Sequence, residues 1–525
     1  MGMRSSTISK LGFTFTLLLA QVAAAQQPAP GQPAQPPPAQ PGQPAPAQPA
    51  PVPAQVPTDV QPQPGLNPAT EPATPPPPVE PPPAEPAPSA PTAGAHGTEV
   101  PLAEPALRPV PPEQVEGEED WSDRFDFRLF VDGYFSVNYN FPKPQFNGNN
   151  YRAYDNSNGF SLAWAGGDVS YPAEPVGGMI SLRFGPAAER LGAGCLSSTS
   201  PCDSAVGLSP VKQAFGSWRP GGADSAVQLD FGKFDTFYGA EVADSQDNLN
   251  YTRGFLYWLA QPAYHTGLRM GANFGEAFTL KAMLVNGINN TIDNNLGKTL
   301  GLQGVLNLTR SDDSALGNVA LGYMIGPERD DTTVIECGPG EVFSPSNSSG
   351  CVAGTAGPTS GVVDRPTTNT KGLRHLIDLV ATFTPVEGLT LVLNGDYGLE
   401  SLRRATVGSE FDNVDWFGVM AAARYAFSDM FAIAGRGEYL GDPHGHVSGV
   451  GQDVNLVSGT LTLDLRPADF LIVRLDNRLD WASKEIFKNG VRDPGTPVIE
   501  NGELALEPGA GTMVTTTLGV VVTTN

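Results

Sequence analysis

The sequence predicts an all-β fold: a transmembrane antiparallel up-and-down β-barrel of about sixteen strands, preceded by a proline-rich N-terminal segment. Three observations carry this. From Trp121 onward apolar and polar residues alternate in runs of about ten to fifteen, which break at turn residues and then resume. The connections between runs are short and long by turns, and aromatic residues gather at the ends of the runs. A soluble strand is usually about five or six residues long, whereas a tilted strand crossing a bilayer needs about nine to eleven.

Residues 1–25 read as a secretory signal peptide. Arg4 and Lys10 precede the apolar stretch Leu11 to Ala20, and Ala23-Ala24-Ala25 offers a small-residue cleavage site before Gln26. No other stretch approaches the ~18 uninterrupted apolar residues of a transmembrane helix, so a membrane location requires a closed sheet. Residues 26–120 form a second region. Residues 28–112 hold 32 of the 52 prolines, and Gln26 to Asp120 contains no Phe, Trp or Tyr. Such a segment cannot bury enough apolar surface to offset its ordering entropy. It is expected to be a disordered, partly polyproline II tether, with an upper reach on the order of 250 Å. Its composition fits both a plain periplasmic spacer and a tether that engages peptidoglycan.

Residues 121–525 form the barrel. The strand runs are 125–141, 158–169, 176–185, 210–219, 225–234, 264–274, 277–286, 298–309, 317–327, 373–385, 388–400, 414–427, 429–441, 454–466, 469–482 and 512–524. Tight links such as Gly275-Glu276, Val386-Glu387, Ser428 and Pro467-Ala468 alternate with long ones. That layout, with an even strand number, belongs to bacterial outer-membrane barrels and puts both termini on the periplasmic side. Phe274, Phe278, Phe383, Phe427, Phe431 and Phe470 flank tight turns, while Trp164, Tyr264, Tyr397, Trp416, Tyr439 and Trp481 lie nearer the long loops. Two interfacial girdles give this pattern. Within 469–482, Leu471, Val473, Leu475, Leu479 and Trp481 oppose Arg474, Asp476, Arg478 and Asp480. An Arg or Lys facing lipid at mid-depth costs about 2–4 kcal/mol, so the charged set, with Asp396 and Arg183 on other strands, is expected to face a wet lumen. A barrel of about sixteen strands is wide enough for an aqueous channel.

The net charge is −24, from 31 Lys+Arg and 55 Asp+Glu. An acidic chain without basic clusters argues against nucleic acid as a partner. The cysteines fall in two local pairs between strand runs, Cys195 with Cys202 and Cys337 with Cys351. Behind a signal peptide, an even count favours two disulfides.

The stretch Asp230-Phe231-Gly232-Lys233-Phe234-Asp235 continues through Gly239-Ala240-Glu241, Asp247-Asn248-Leu249-Asn250 and Tyr251-Thr252-Arg253. It runs on to Tyr264-His265-Thr266-Gly267-Leu268-Arg269, Val285-Asn286-Gly287 and Gly297-Lys298-Thr299-Leu300-Gly301. Together these resemble the OmpL-like putative β-barrel porin family of Gram-negative outer membranes, over about 125 to 525. The resemblance implies a transmembrane barrel with porin-like transport, and it carries over no catalytic residues. Two positions depart from that family's pattern: Phe237, where a proline is expected, and the terminal Val522-Thr523-Thr524-Asn525, where an aromatic is usual.

The loop 235–263 is the best functional candidate. It holds Phe237, Tyr238, Tyr251, Phe255, Tyr257 and Trp258, with Asp235, Glu241, Asp244 and Asp247 as acids and Arg253 as its one base. A loop this apolar is expected to fold onto the lumen wall or cap the rim. Inside the lumen its carboxylates would favour cations. Across the long loops 23 acids face 12 bases, a balance that draws cations toward the mouth. Gly297-Lys298-Thr299 is not a P-loop, because Ile292 stands where the pattern needs glycine. His444 and His446 lack a third defined metal ligand, and His265 and His375 lack a nucleophile partner, so neither a metal, a cofactor nor an enzyme activity is expected. The expected function is passive diffusion of small hydrophilic solutes or ions across outer-membrane lipid, with modest cation preference. The alternative is a surface or structural barrel with a plugged lumen. Either is compatible with oligomers.

Limited proteolysis of the mature protein is expected to remove residues 26–120 and leave a resistant fragment beginning near Trp121. Protection of the proline-rich tract in isolated protein would contradict the tether.

Overall fold

The computed structural model describes residues 124–142, 148–193, 203–311, 314–329, 332–344, 351–364, 372–403, 411–490, 498–500, 503–505 and 509–524. The signal peptide, the proline-rich tether, Cys195 and Cys202 lie outside the described residues. Sixteen antiparallel strands close into one barrel. They are β1 (Asp126–Asn138), β2 (Gly159–Tyr171), β3 (Val176–Phe184), β4 (Val211–Trp218), β5 (Val227–Asp235), β6 (Tyr264–Phe274), β7 (Phe278–Val285) and β8 (Thr299–Thr309). The second half comprises β9 (Ala315–Pro327), β10 (Leu373–Phe383), β11 (Leu389–Arg403), β12 (Phe411–Ala426), β13 (Phe431–Asp442), β14 (Val454–Ala468), β15 (Leu471–Ala482) and β16 (Thr512–Thr523). Each strand pairs with its neighbour in sequence, and β1 pairs with β16 from Phe130↔Thr523 to Asn138↔Thr515. Every predicted run is found, with ends shifted by a few residues.

The alternation does what lipid and lumen require. On β1, Phe127, Leu129 and Val131 point outward and are exposed, while Phe130, Asp132, Tyr134, Ser136 and Asn138 are buried on the inner face. On β11 and β15, Leu393, Tyr397, Leu479 and Trp481 are outward, and Asn394, Asp396, Arg474, Asp476, Arg478 and Asp480 are inward. Short turns close one rim, as at Gly275 (φ +66), where a left-handed backbone suits glycine. The long connections gather at the other rim. The one between β9 and β10 carries two strand pairs, Thr332–Glu336 with Ser360–Asp364 and Glu341–Phe343 with Cys351–Ala353. The expected Cys337–Cys351 disulfide ties the residue after the first pair's leading strand to the first residue of the second pair's returning strand.

Three of the expected girdle aromatics are corrected. Trp164, Tyr264 and Trp416 are buried inside the barrel, not set against lipid. For Trp164 the reason is a bulge: Asp132 pairs with Trp164 and Gly133 with Leu162, so Ala163 is one residue too many. An extra residue flips the face of everything beyond it. Trp416 shares the inward set of β12 with Val414 and Met420, while Phe417 and Val419 take the outer face. Tyr264 begins β6 beneath a long loop, its hydroxyl donating to Asn289 O at 2.8 Å and its ring 4.1 Å from Lys233 Nζ.

Leu393 lies on the outer face of β11, midway between its first residue Leu389 and the girdle residue Tyr397, and is 52% exposed. Leu393→Arg is expected to destabilise the barrel in lipid vesicles by about 2–4 kcal/mol, read from urea titration of the folded state. A neutral result would mean that this face does not meet lipid.

Candidate functional site

The chain between β5 and β6, residues 236–263, turns into the barrel and crosses it. At its base Thr236 N–H donates to Ala263 O at 3.1 Å, joining the two ends of the loop. Beyond that neck it meets the inner wall strand by strand. The Tyr238 hydroxyl donates to Tyr323 O on β9 at 3.0 Å, and Gly239 N–H to Asp378 Oδ1 on β10 at 3.1 Å. Gln261 Nε2 donates to Asn394 Oδ1 and Asp396 Oδ2 on β11, each at 2.7 Å. Trp416 Nε1 on β12 donates to Ala260 O at 3.3 Å. Phe255 N–H reaches Glu438 Oε2 on β13 at 2.7 Å, Asn250 Nδ2 reaches Thr462 Oγ1 on β14 at 2.6 Å, and Thr252 N–H reaches Asp476 Oδ2 on β15 at 2.8 Å. The circuit ends on β1, where the Tyr251 hydroxyl donates to Asp132 Oδ1 at 2.7 Å.

Local chemistry explains why the loop lies there. Phe237, Tyr238, Tyr251, Phe255, Leu256 and Tyr257 are all buried, and burying a large apolar side chain is worth roughly 1.5–3 kcal/mol. Apart from a short 3-10 turn at Ser245–Asp247 and a π-turn at Leu256–Ala260, the segment has no regular ladder. Its backbone donors therefore need outside partners, and the inward carboxylates of β10, β13 and β15 accept them. The wall's arginines serve its carbonyls in the same way. Arg474 Nη1 donates to Ser245 O at 2.6 Å, and Arg478 Nη1 donates to Arg253 O at 2.5 Å.

The loop's own acids are matched by bases from the wall. Asp244 lies 2.9 Å from Arg183 and 3.0 Å from Lys212, with Arg128 at 3.5 Å. Arg183 also holds Asp168 of β2 at 2.7 Å. Asp235 pairs with Lys212 at 2.6 Å, Asp247 with Arg128 at 3.0 Å, and Glu241 with Arg436 at 2.5 Å. Burial alone pushes the Asp244 carboxyl up, but the charges of Arg183 and Lys212 hold it well below the usual carboxylate range. At Asp247 burial prevails over Arg128 and raises the carboxyl. Arg253 does not balance these acids directly. Its guanidinium donates to Tyr251 O at 3.0 Å, to Ser245 Oγ at 2.9 Å and to Ala243 O, and it stacks on Tyr154 at 4.7 Å.

Arg183, Asp396, Arg474, Asp476, Arg478 and Asp480 thus face the lumen, as the alternation requires. They are buried, however, beneath the loop and, at Asp480, beneath Arg152. Asp480 is flanked by Arg478 at 2.7 Å and by Arg152 at 2.8 Å. Arg152 comes from the connection between β1 and β2 and is itself buried, and sequence reasoning gave no sign of it. Asp132, Asp378, Arg436 and Glu438 join the site on the inward parity of their strands, while Asp168 follows the β2 bulge inward and Lys212 is the extra residue of a bulge where Gln213 pairs with Ser181 and Val211 with Leu182. The histidines take structural places. His446 Nε2 lies 2.7 Å from Glu400 Oε2, and the His265 ring nitrogens lie 2.9 Å from Gly287 O and 3.1 Å from Thr236 Oγ1.

A family model described as putative beta-barrel porin-2, OmpL-like, matches residues 124–504. No curated protein matches the chain. Among solved structures it is similar to OmpT of Vibrio cholerae, at 12% identity and TM-score 0.43, over 76% of this chain and 97% of that one. It is similar to an anion-selective porin from Comamonas acidovorans at 11% identity and TM-score 0.42, over 76% and 99% of the two chains. OprB of Pseudomonas putida gives 12% identity and TM-score 0.42, over 77% and 95%.

Arg183→Ala leaves Asp168 and Asp244 buried with one fewer cation each, a loss of about 3–5 kcal/mol for a broken buried pair. The expected result is a folded barrel whose loop is cut by trypsin at Arg253 much faster than in the parent protein. In the parent, the contribution of Asp244 is complete above its unfolded value of about 3.9 and lost as acid protonates it below that. Loop protection is therefore expected to be level from neutral pH down to pH 4. Equal cleavage of variant and parent would show that Arg183 does not anchor the loop.

Proposed function

The chain belongs to the putative β-barrel porin-2, OmpL-like, family, and from that starting point we propose that it is a channel for passive diffusion of small hydrophilic solutes or ions, with modest cation preference. The observation that carries this reading is a closed sixteen-strand barrel whose outer face is apolar and whose inner face is polar and charged. Such a cylinder sits in outer-membrane lipid with solute on its inside. In this reading the loop 235–263 sets the pore width, and Asp235, Glu241, Asp244, Asp247 and Arg253 are its constriction residues. The modesty of the preference follows from pairing. Around the loop the acids Asp235, Glu241, Asp244, Asp247 and Asp168 are met by Arg128, Arg183, Lys212 and Arg436. Arg253 brings these charges to balance, so the preference rests on the excess of acids across the long loops, 23 against 12 bases, and salt screens it over about 10 Å at 0.1 M. The catalytic role is none: the residues position a pore.

The long loops then face the exterior and both termini of the barrel segment face the periplasm, where residues 26–120 would serve as a tether to peptidoglycan. A second reading has one specific observation in its favour. The loop binds strands from β9 round to β1, wall to wall, which suits a plugged barrel that serves as a surface or structural element.

Reconstitution in planar bilayers separates the two. A channel is expected to give stepwise conductance and a cation-selective reversal potential in a KCl gradient. Replacing Asp235, Asp244 and Asp247 by Asn and Glu241 by Gln is expected to move that potential toward zero or past it. A folded barrel without conductance would favour the plug, and an anion-selective parent would remove the acids from the role of filter.

A further inference from the structure

Both sides of the lumen loop's neck meet one cluster of side chains on the wall. Asp378 on β10 and Asp396 on β11 are directly opposed in register, both are buried, and each carboxyl keeps one oxygen that no donor reaches among the described residues. Asn394, two residues before Asp396, donates Nδ2 to Asp378 Oδ1 at 3.1 Å. These three side chains grip both sides of the neck. Asp378 and Asn394 accept the N–H groups of Gly239 and Ala240, at 3.1 and 3.2 Å. Asp396 and Asn394 accept the Gln261 amide from the returning chain. Gly239 (φ +84) sits so close to Gln261 that a side chain there would collide with it.

Charge makes this grip conditional. Among the described residues Asp378 Oδ2 and Asp396 Oδ1 find no donor, and two buried carboxylates directly opposed on adjacent strands do not both ionise unless a positive charge sits beside them. The surroundings supply none. β9 offers Gly322 beside Asp378, and β12 offers Gly418 beside Asp396 and Met420 beside Asn394. From the loop the facing titratable group is the Tyr238 hydroxyl, already donating to Tyr323 O. Among the described residues no Lys, Arg or His makes an ion pair with either carboxyl.

We propose that Asp378 and Asp396 form a proton-operated clasp: one shared proton holds the neck of loop 236–263 to the wall, and its loss in alkali releases the neck. With the proton gone, two buried like charges repel and the segment around Gly239 and Gln261 lifts from β10 and β11. Any effect on conduction rests on the loop setting the pore width. Amide exchange reads the clasp without conduction, so the two failures are distinguishable.

The test is hydrogen exchange of the Gly239 and Ala240 amides in the full-length folded barrel between pH 5 and 9, corrected for intrinsic rates. Barrel amides serve as the internal reference. The parent is expected to keep protection at the acid end and to lose up to about tenfold per pH unit once the proton leaves. Asp396→Asn, and separately Asp378→Asn, supply a neutral donor in place of the shared proton, so both are expected to give a flat profile. A flat profile in the parent overturns the clasp. So does protection that follows added NaCl or CaCl2 at fixed pH, which would put a metal cation where the proton is proposed. Should one variant fail to fold, the other and the parent profile still decide.

Discussion

Hydrocarbon offers no partner for a peptide group, so any backbone that crosses it as a sheet must close on itself. Everything else here follows from that closure. A closed antiparallel sheet of alternating residues has one face for lipid and one for its own interior, and this chain needs sixteen strands to complete the circle. A cylinder of that size is too wide for wall side chains alone to fill. The chain therefore sends part of itself inward, and the apolar loop between β5 and β6 is the segment that goes.

Inside, the electrostatics run opposite to those of a soluble core. Burying an isolated carboxylate or guanidinium is costly, yet Arg183, Arg474, Arg478, Asp476 and Asp480 are almost wholly covered. They are tolerated because an irregular loop has unpaired amides and carbonyls, which are what carboxylates and guanidiniums bind best. Asp476 accepts both the N–H and the hydroxyl of Thr252, and Arg474 takes a carbonyl five residues or more away along the same loop. The wall's charges and the loop's backbone solve each other's solvation. That explains why the ion pairs at Asp244 and Glu241 lie where the chain has least regular structure of its own.

The strands were legible in the sequence because period two is a local property. Leu393 and Asn394 announce their faces without reference to anything else. The interior was less legible because a partner across a lumen is set by shape and not by spacing. Nothing near Arg152 in the sequence points to Asp480, and no pattern near Gln261 points to Asp396. Trp164 shows a third case, in which one inserted residue, Ala163, turns an apparently lipid-facing aromatic inward. The sequence marked the loop 235–263 as exceptional by its aromatics and acids, but its course along the wall depended on carboxylates from strands far along the chain.

The same distances govern assembly. Besides Arg183 and Lys212 on the nearby β3 and β4, the partners of the loop come from β1, more than a hundred residues before it, and from β9 to β15, up to more than two hundred residues after it. Contacts of such long range form late, because their chain entropy must be spent before they return any stability. When the loop emerges between β5 and β6, most of the surface it will bind does not yet exist. Docking of the loop therefore waits for strands made long after it, and the seam between β1 and β16, which pairs Phe130 with Thr523, is of longer range still.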